Sequence, residues 1–384
     1  MQMATDLQAL LRRRAWLMQA AVSALAWPGL APAQAALARP LAERAAQTHV
    51  LTAWDAFQRF WAGSWTPGSH PVGIELPARA HEVLPVTRRL GEALAVARRP
   101  GEYLARFDMR RRQVLQWHAM EEDRFLEGHA AFSTDGSTLF TTESRADTGQ
   151  GIIAARDPLT LRKRHEFASG GVGPHALLLE PQGTLLAANG GLLTLPETGR
   201  RKLNRMTMDS SLVRIDPATG LVLQSWRLAD PFLSVRHIAR ADDGTIAVAL
   251  QAEHEDPGLR SLAPLLALVG PAGLKPAPTA LASSPGVPLR LDGYAGDVAY
   301  LHEPDGSAGV FVASAVRAGQ LVEWTTGGEM VRTQSLPGVC ALASGHGLLL
   351  ASAAHGAWQA RCADAVLRQS TVAINWDNHA RLLA

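Results

Sequence analysis

The sequence predicts an all-β protein, a seven-bladed β-propeller whose N- and C-terminal strands share one blade. Three observations carry this. A His, Asp or Cys opens a short apolar strand at seven places: His81 (AHEVL), His129 (GHAAF), His175 (PHALLL), His237 (RHIA), Asp297 (GDVAY), Cys340 (VCALA) and His379 (NHARLL). The steps between them, 48, 46, 62, 60, 43 and 39 residues, bracket the length of one four-stranded blade. Finally, the last of these strands stands alone at the C-terminus, while unassigned strands stand at the N-terminus.

Each repeat unfolds in the same order. The opening strand is followed by a turn, and the turns include Thr134-Asp135-Gly136, Pro181-Gln182-Gly183, Asp242-Asp243-Gly244 and Pro304-Asp305-Gly306. Glycine in these turns supplies the positive φ of a tight hairpin, so the flanking strands pair directly. Second strands are expected at Ala93–Ala97, Thr138–Thr142, Leu185–Ala188, Ile246–Leu250, Gly309–Ala313 and Leu348–Ser352. Third and fourth strands follow, for example Ser211–Asp216 and Val222–Leu228 around the turn Pro217-Ala218-Thr219-Gly220. The seventh blade is assembled from Trp376–Leu382 and from His49–Trp54, Phe60–Trp65 and Val72–Leu76, which removes open sheet edges. A six-bladed ring with a frayed C-terminal strand is the competing arrangement. Helical periodicity is confined to about residues 37–47. The two longest steps contain insertions, Leu192–Asp209 in the third repeat and Ala252–Leu262 with a Pro-rich exit (271–288) in the fourth. Arg200, Arg201 and Lys202 in the first insertion suit an anionic site at a channel mouth, or a solvated charge run.

The N-terminus reads as an export leader over residues 1–35, with residues 36–384 as one propeller domain. Arg12-Arg13-Arg14-Ala15-Trp16-Leu17 carries the paired arginines (Arg13, Arg14) of a twin-arginine signal, followed by an apolar run and Ala33-Gln34-Ala35 as a small-x-small cleavage site. The run is too short and Pro-broken to span a bilayer. The expected destination is the periplasm, without stable membrane insertion. The whole chain has 37 basic and 35 acidic residues; removing residues 1–35 takes away three Arg and one Asp and leaves a formally neutral protein. That argues against nucleic acid or an anionic membrane as partner. The two cysteines, Cys340 and Cys362, would enter an oxidising compartment, where pairing is permitted but would remove Cys340 from the ring.

Propeller closure gives the repeated position its chemistry, because inner strands start beside the central channel. His81, His129, His175, His237, His379, Asp297 and Cys340 would then share one ring, the expected metal or ligand-binding set. Imidazole with Asp and Cys suits a transition metal, Cu, Fe or Zn, better than Ca²⁺ or Mg²⁺. No CxxCH occurs, so attached haem is not expected. Polar groups at strand ends beside the ring form an expected supporting network: Arg98, Arg99, Glu143, Asn189, Arg236 and Gln251. The three arginines would make the pocket cationic, which also fits an anionic ligand.

Several motifs are long enough to carry a resemblance. Ala97-Arg98-Arg99-Pro100-Gly101, Glu127 to Gly136 (EGHAAFSTDG), Gly173-Pro174-His175, Ala188-Asn189-Gly190-Gly191, Gly199 to Asn204 (GRRKLN), Ser210-Ser211-Leu212 and Val235-Arg236-His237 resemble the periplasmic family catalogued as domain of unknown function 1513. The resemblance runs in order through the mature chain, with Asp297 standing where a small polar residue is expected. It implies a twin-arginine-exported propeller of quinoprotein or YVTN type. It also implies an iron- or copper-handling setting, with imelysin-like proteins and haem-containing oxidoreductases as partners. It implies no particular activity. The functional expectation is therefore a periplasmic metal-binding or accessory protein. A lactonase-like metal-dependent hydrolase and an interaction scaffold with a structural histidine ring are the alternatives.

Overall fold

In the computed structural model the described residues are 41, 43–198, 201–302, 308–362, 365–370 and 374–383. Residues 1–35, where the sequence suggests an export leader with Arg13 and Arg14, lie outside the described residues.

Seven four-stranded antiparallel sheets make up the described chain. Blades 1 to 6 are formed by residues 80–119, 124–172, 174–226, 233–276, 295–335 and 342–370 in turn. Blade 7 takes its inner strand from the C-terminus, Asn375–Leu383, and its other three from His49–Ala56, Arg59–Trp65 and Val72–Leu76. His49 pairs with Leu383 and Asp55 with Asn375, so the two ends of the chain are laced together. Inner strands touch their neighbours all the way round, and Asn375–Leu383 packs on Ala80–Pro85 of blade 1 to close the circle. The seven-bladed expectation holds, including the shared blade.

Blade stacking explains the composition of the strands. Second strands lie between two neighbouring blades and are buried on both faces, so they read as unbroken apolar runs: EALAVA (92–97), LLAAN (185–189) and IAVALQA (246–252). Outermost strands such as Gln113–Ala119 and Val222–Trp226 are largely solvent-facing. The closure is sealed by aromatic packing, with Trp65 set 4.7 Å from Trp376 and 5.3 Å from Trp358 between ring centroids. Arg79, immediately before blade 1, also bonds Asp377 of blade 7 across 2.9 Å.

Two details differ from expectation, and a third closes an open point. The inner strands of blades 2 and 4 begin at Arg124 and Leu233, so His129 and His237 stand inside their strands instead of opening them. The fourth-blade insertion contains a helix, Pro257–Leu262, started by Asp256 capping the Leu259 N–H at 2.8 Å and by Pro at the first helical position. Cys340 and Cys362 are free thiols, which answers the pairing question left open by the sequence.

Candidate metal centre

The inner strands of six blades share a local irregularity. Their pairing with the second strand slips at one point: between Ala80 and Glu82, Leu126 and Ala130, Pro174 and Ala176, Val235 and Ile238, Ala295 and Val298, and across Asp377–His379 in blade 7. Each slip contains one of the predicted ring residues: His81, His129, His175, His237, Asp297 or His379. A β-bulge bends its strand and re-aims a side chain that regular alternation would send into the blade. Blade 6 is different. Its strand Leu342–Gly345 pairs in unbroken register, and Cys340 precedes it.

The five bulged histidines meet. Nine of their ten ring pairs, all but His175 with His379, have centroids between 4.5 and 6.5 Å apart, including His81 and His237, which come from the non-adjacent blades 1 and 4. All five are buried, at 4–6% exposure. Two sets of donor atoms lie within 4.8 Å of one another: His81, His129 and His175, and His129, His237 and His379.

Hydrogen bonding fixes which nitrogens remain available. His129 Nδ1 is 3.1 Å from the Glu82 carboxylate, and His379 Nδ1 is 3.2 Å from Asp297. A carboxylate partner holds the proton on Nδ1 and leaves the Nε2 lone pair free, the usual arrangement behind a metal-bound imidazole. Nε2 of His129 and of His379, Nδ1 of His175 and both nitrogens of His81 are buried without a hydrogen-bond partner. A buried polar atom without a partner is costly, and five in one cluster point to a ligand. His175 and His237 set Nε2 against Nε2 at 3.3 Å. Two imidazole nitrogens held about 2.0–2.1 Å from one tetrahedral ion stand about 3.3–3.4 Å apart. His129 belongs to both sets, so two adjoining groups of three donors meet at its ring.

Four of the imidazoles, those of His81, His129, His175 and His237, are pushed toward the neutral form. Burial is the main force pushing His81, His175 and His237 well below the usual histidine range; next come His379 for His81 and His237, and His237 for His175. His129 is also lowered by burial, with the Glu82 carboxylate opposing. Neutral imidazole is the metal-binding form.

The supporting residues divide into several roles. Glu82 accepts from His129 and from the Ala130 N–H at 3.1 Å, and is itself gripped by Arg381, whose Nε lies 3.0 Å away. These attractions outweigh burial and hold its carboxyl far below the carboxylate range. Asp297 stands one layer behind His379, accepting also from the Leu342 N–H at 3.0 Å and Val298 N–H at 2.9 Å. Cys340 lies near this layer; burial first, then Asp297 and Asp377, pushes its thiol up to about 12. The two sets of donor atoms contain histidine alone. Gly128 backs His81 directly: a Cβ there would come within 2.5 Å of His81 Cδ2.

Of the polar residues expected around the ring, Arg98 acts on His81 electrostatically. Arg99 pairs with Glu127 at 3.5 Å, and Arg236 lies 4.0 Å from Glu253. Gln251 donates to the Ala295 carbonyl, tying blade 4 to blade 5. Asn189 donates to Ser169 and Ser211. Glu143 belongs to an ion-pair network inside blade 2, with Arg156 at 2.7 Å and Arg124 at 3.4 Å. Sequence reasoning missed Glu82, Gly128 and Arg381. Glu82 follows His81 directly, and regular strand alternation would send the two side chains to opposite faces.

Fold and hub together define a β-propeller with a buried imidazole cluster on its axis. The family model described as "Protein of unknown function (DUF1513)" matches residues 74–383, and the chain belongs to that family. No curated protein matches. Among solved structures, the chain is similar to one titled "Crystal Structure of Mitotic Checkpoint Complex", at 12% identity and a TM-score of 0.51, over 83% of this chain and 89% of that one. At that identity the likeness concerns the propeller fold alone.

Proposed function

We propose that this chain is a periplasmic protein whose hub binds one transition-metal ion through imidazole nitrogens, serving iron or copper handling as a binding or accessory protein. The observation that carries the reading is the set of five buried imidazole nitrogens without partners, two of the rings oriented by carboxylates. An all-imidazole donor set suits Cu, Fe, Zn or Ni and is a poor site for Ca²⁺ or Mg²⁺. Export by the twin-arginine route would bring the folded, loaded protein to the periplasm. Partners there would be iron- or copper-handling proteins, imelysin-like proteins and haem oxidoreductases among them. No helix among the described residues is long and apolar enough to cross a membrane.

The test is elemental analysis of protein exported by its own leader and purified without chelator. About one Cu, Fe or Zn per chain, lost in a His129→Ala/His175→Ala double variant that keeps its β-sheet spectrum, supports the reading. Metal-free protein whose melting is unchanged by Cu²⁺, Fe²⁺ or Zn²⁺ overturns it, since specific binding to the folded state must raise stability. The histidine ring would then be structural.

A further inference from the structure

Arg236 sits in the same bulge as His237 and is one of the most enclosed charged groups in the molecule, at 1% exposure. Its Nε has no hydrogen-bond partner, and its ion pair to Glu253 is stretched to 4.0 Å, beyond hydrogen-bond length. A buried guanidinium in this condition is expensive unless an anion completes it. The backbone leaves it room: a Cβ on Gly190 would stand 2.9 Å from Arg236 Nη1, so glycine is needed where the guanidinium lies.

Its surroundings are cationic. Arg99 arrives from the end of blade 1's second strand, and Lys202 reaches in from the blade 3 insertion to pair with Glu253. Glu253 is shared between Lys202 and Arg236, and Glu127 is shared between Arg99 and the Ser144 hydroxyl. Three cations thus face two carboxylates, a surplus of one positive charge. Arg99 and Arg236 both act on His175 and His237, so this charge lies against the imidazole cluster.

We propose that Arg236, with Arg99 and Lys202, forms a binding site for a small monocarboxylate beside the imidazole hub. The fork of a guanidinium matches the two oxygens of a carboxylate. One negative charge balances the surplus, whereas a phosphate dianion would overshoot it and meet Glu127 and Glu253. The site stands on its own observations, and with a divalent ion in the neutral imidazole set the demand for an anion increases.

The test uses chelator-treated full-length protein, so its failure is separable from failure of the metal reading. Thermal melts are recorded with increasing sodium acetate against sodium chloride at constant ionic strength. A saturable rise of about 1–3 °C with acetate is expected from binding to the folded state alone. Arg236→Met is expected to melt higher than wild type in chloride, because an uncompensated buried charge is removed, and to lose the acetate response. Arg236→Lys keeps the charge without the fork, guards against misfolding of the first variant, and should need at least tenfold more acetate. Identical wild-type melts in acetate and chloride overturn the proposal, as does an unchanged acetate response in either variant. A larger rise with equimolar phosphate overturns the carboxylate assignment.

Discussion

Acidification should unfold the metal-free protein unusually early, through the hub. His81, His175 and His237 are held well below the ordinary value of 6.5 in the fold, chiefly by burial, whereas in the unfolded chain they return to it. Below pH 6.5 the unfolded state therefore binds more protons, and stability rises with pH and falls with acid. Each such histidine removes about 1.4 kcal/mol per pH unit once the pH is well below 6.5 and still above its folded value. Three of them together remove at most about 4 kcal/mol between pH 7.5 and 5.5, the limit reached if all stay neutral in the fold, against a typical domain's stability of about 5–15 kcal/mol. His129 and His118, also lowered, add to the slope. Carboxylates held low in the fold, such as Glu82 and Glu166, lose their contribution only as pH falls below about 4.5, so the window from 7.5 to 5.5 isolates the imidazoles. Urea denaturation at half-unit pH steps in the presence of chelator measures the slope directly. A His81→Gln/His175→Gln/His237→Gln variant should flatten it. A flat wild-type profile, or one that the variant shares, would refute the assignment of buried neutral imidazoles.

Three further outcomes follow from the same geometry. Glu82→Gln should lower metal affinity about 10–100-fold in chelator competition, because the carboxylate that sets the His129 tautomer is lost. Gly128→Ala should cost more than about 1 kcal/mol in urea melts and displace His81, since the position has φ +113° and the new Cβ would lie 2.5 Å from the His81 ring. Truncation after Ile374 removes the inner strand of blade 7 together with His379; it should abolish cooperative melting and increase self-association, read by calorimetry and light scattering.

Blade count and closure were legible because propeller strands carry a strong local signal. Second strands buried on both faces become continuous apolar runs, glycine turns mark the hairpins, and the lone strand Asn375–Leu383 has its missing partners at the other end of the chain. Convergence of the five histidines was legible for the same reason, since an equivalent place in each repeat becomes an equivalent radius and depth. What the sequence concealed is the bulge. Period-two alternation cannot show that pairing slips at His81, so the adjacent Glu82 was not expected to reach His129, nor Arg381, 299 residues away, to grip Glu82 from the closing strand. Two ring positions also look alike in sequence and differ in space. Asp297 lies in a bulge and serves His379, whereas Cys340 stands outside its blade's regular pairing and is kept protonated by burial. Glu143 ends a buried strand, as the supporting network requires, yet its charge is absorbed by Arg124 and Arg156 within blade 2.

X-ray absorption at the zinc edge, on chain loaded with one equivalent of Zn²⁺, examines the hub most directly. The account predicts a first shell with about three imidazole nitrogens at about 2.0–2.1 Å and the outer-shell scattering of imidazole rings, lost when His129 and His379 are replaced. A sulfur shell at about 2.3 Å, an oxygen-only shell, or zinc that washes out of the wild-type protein as readily as from the variant would contradict it.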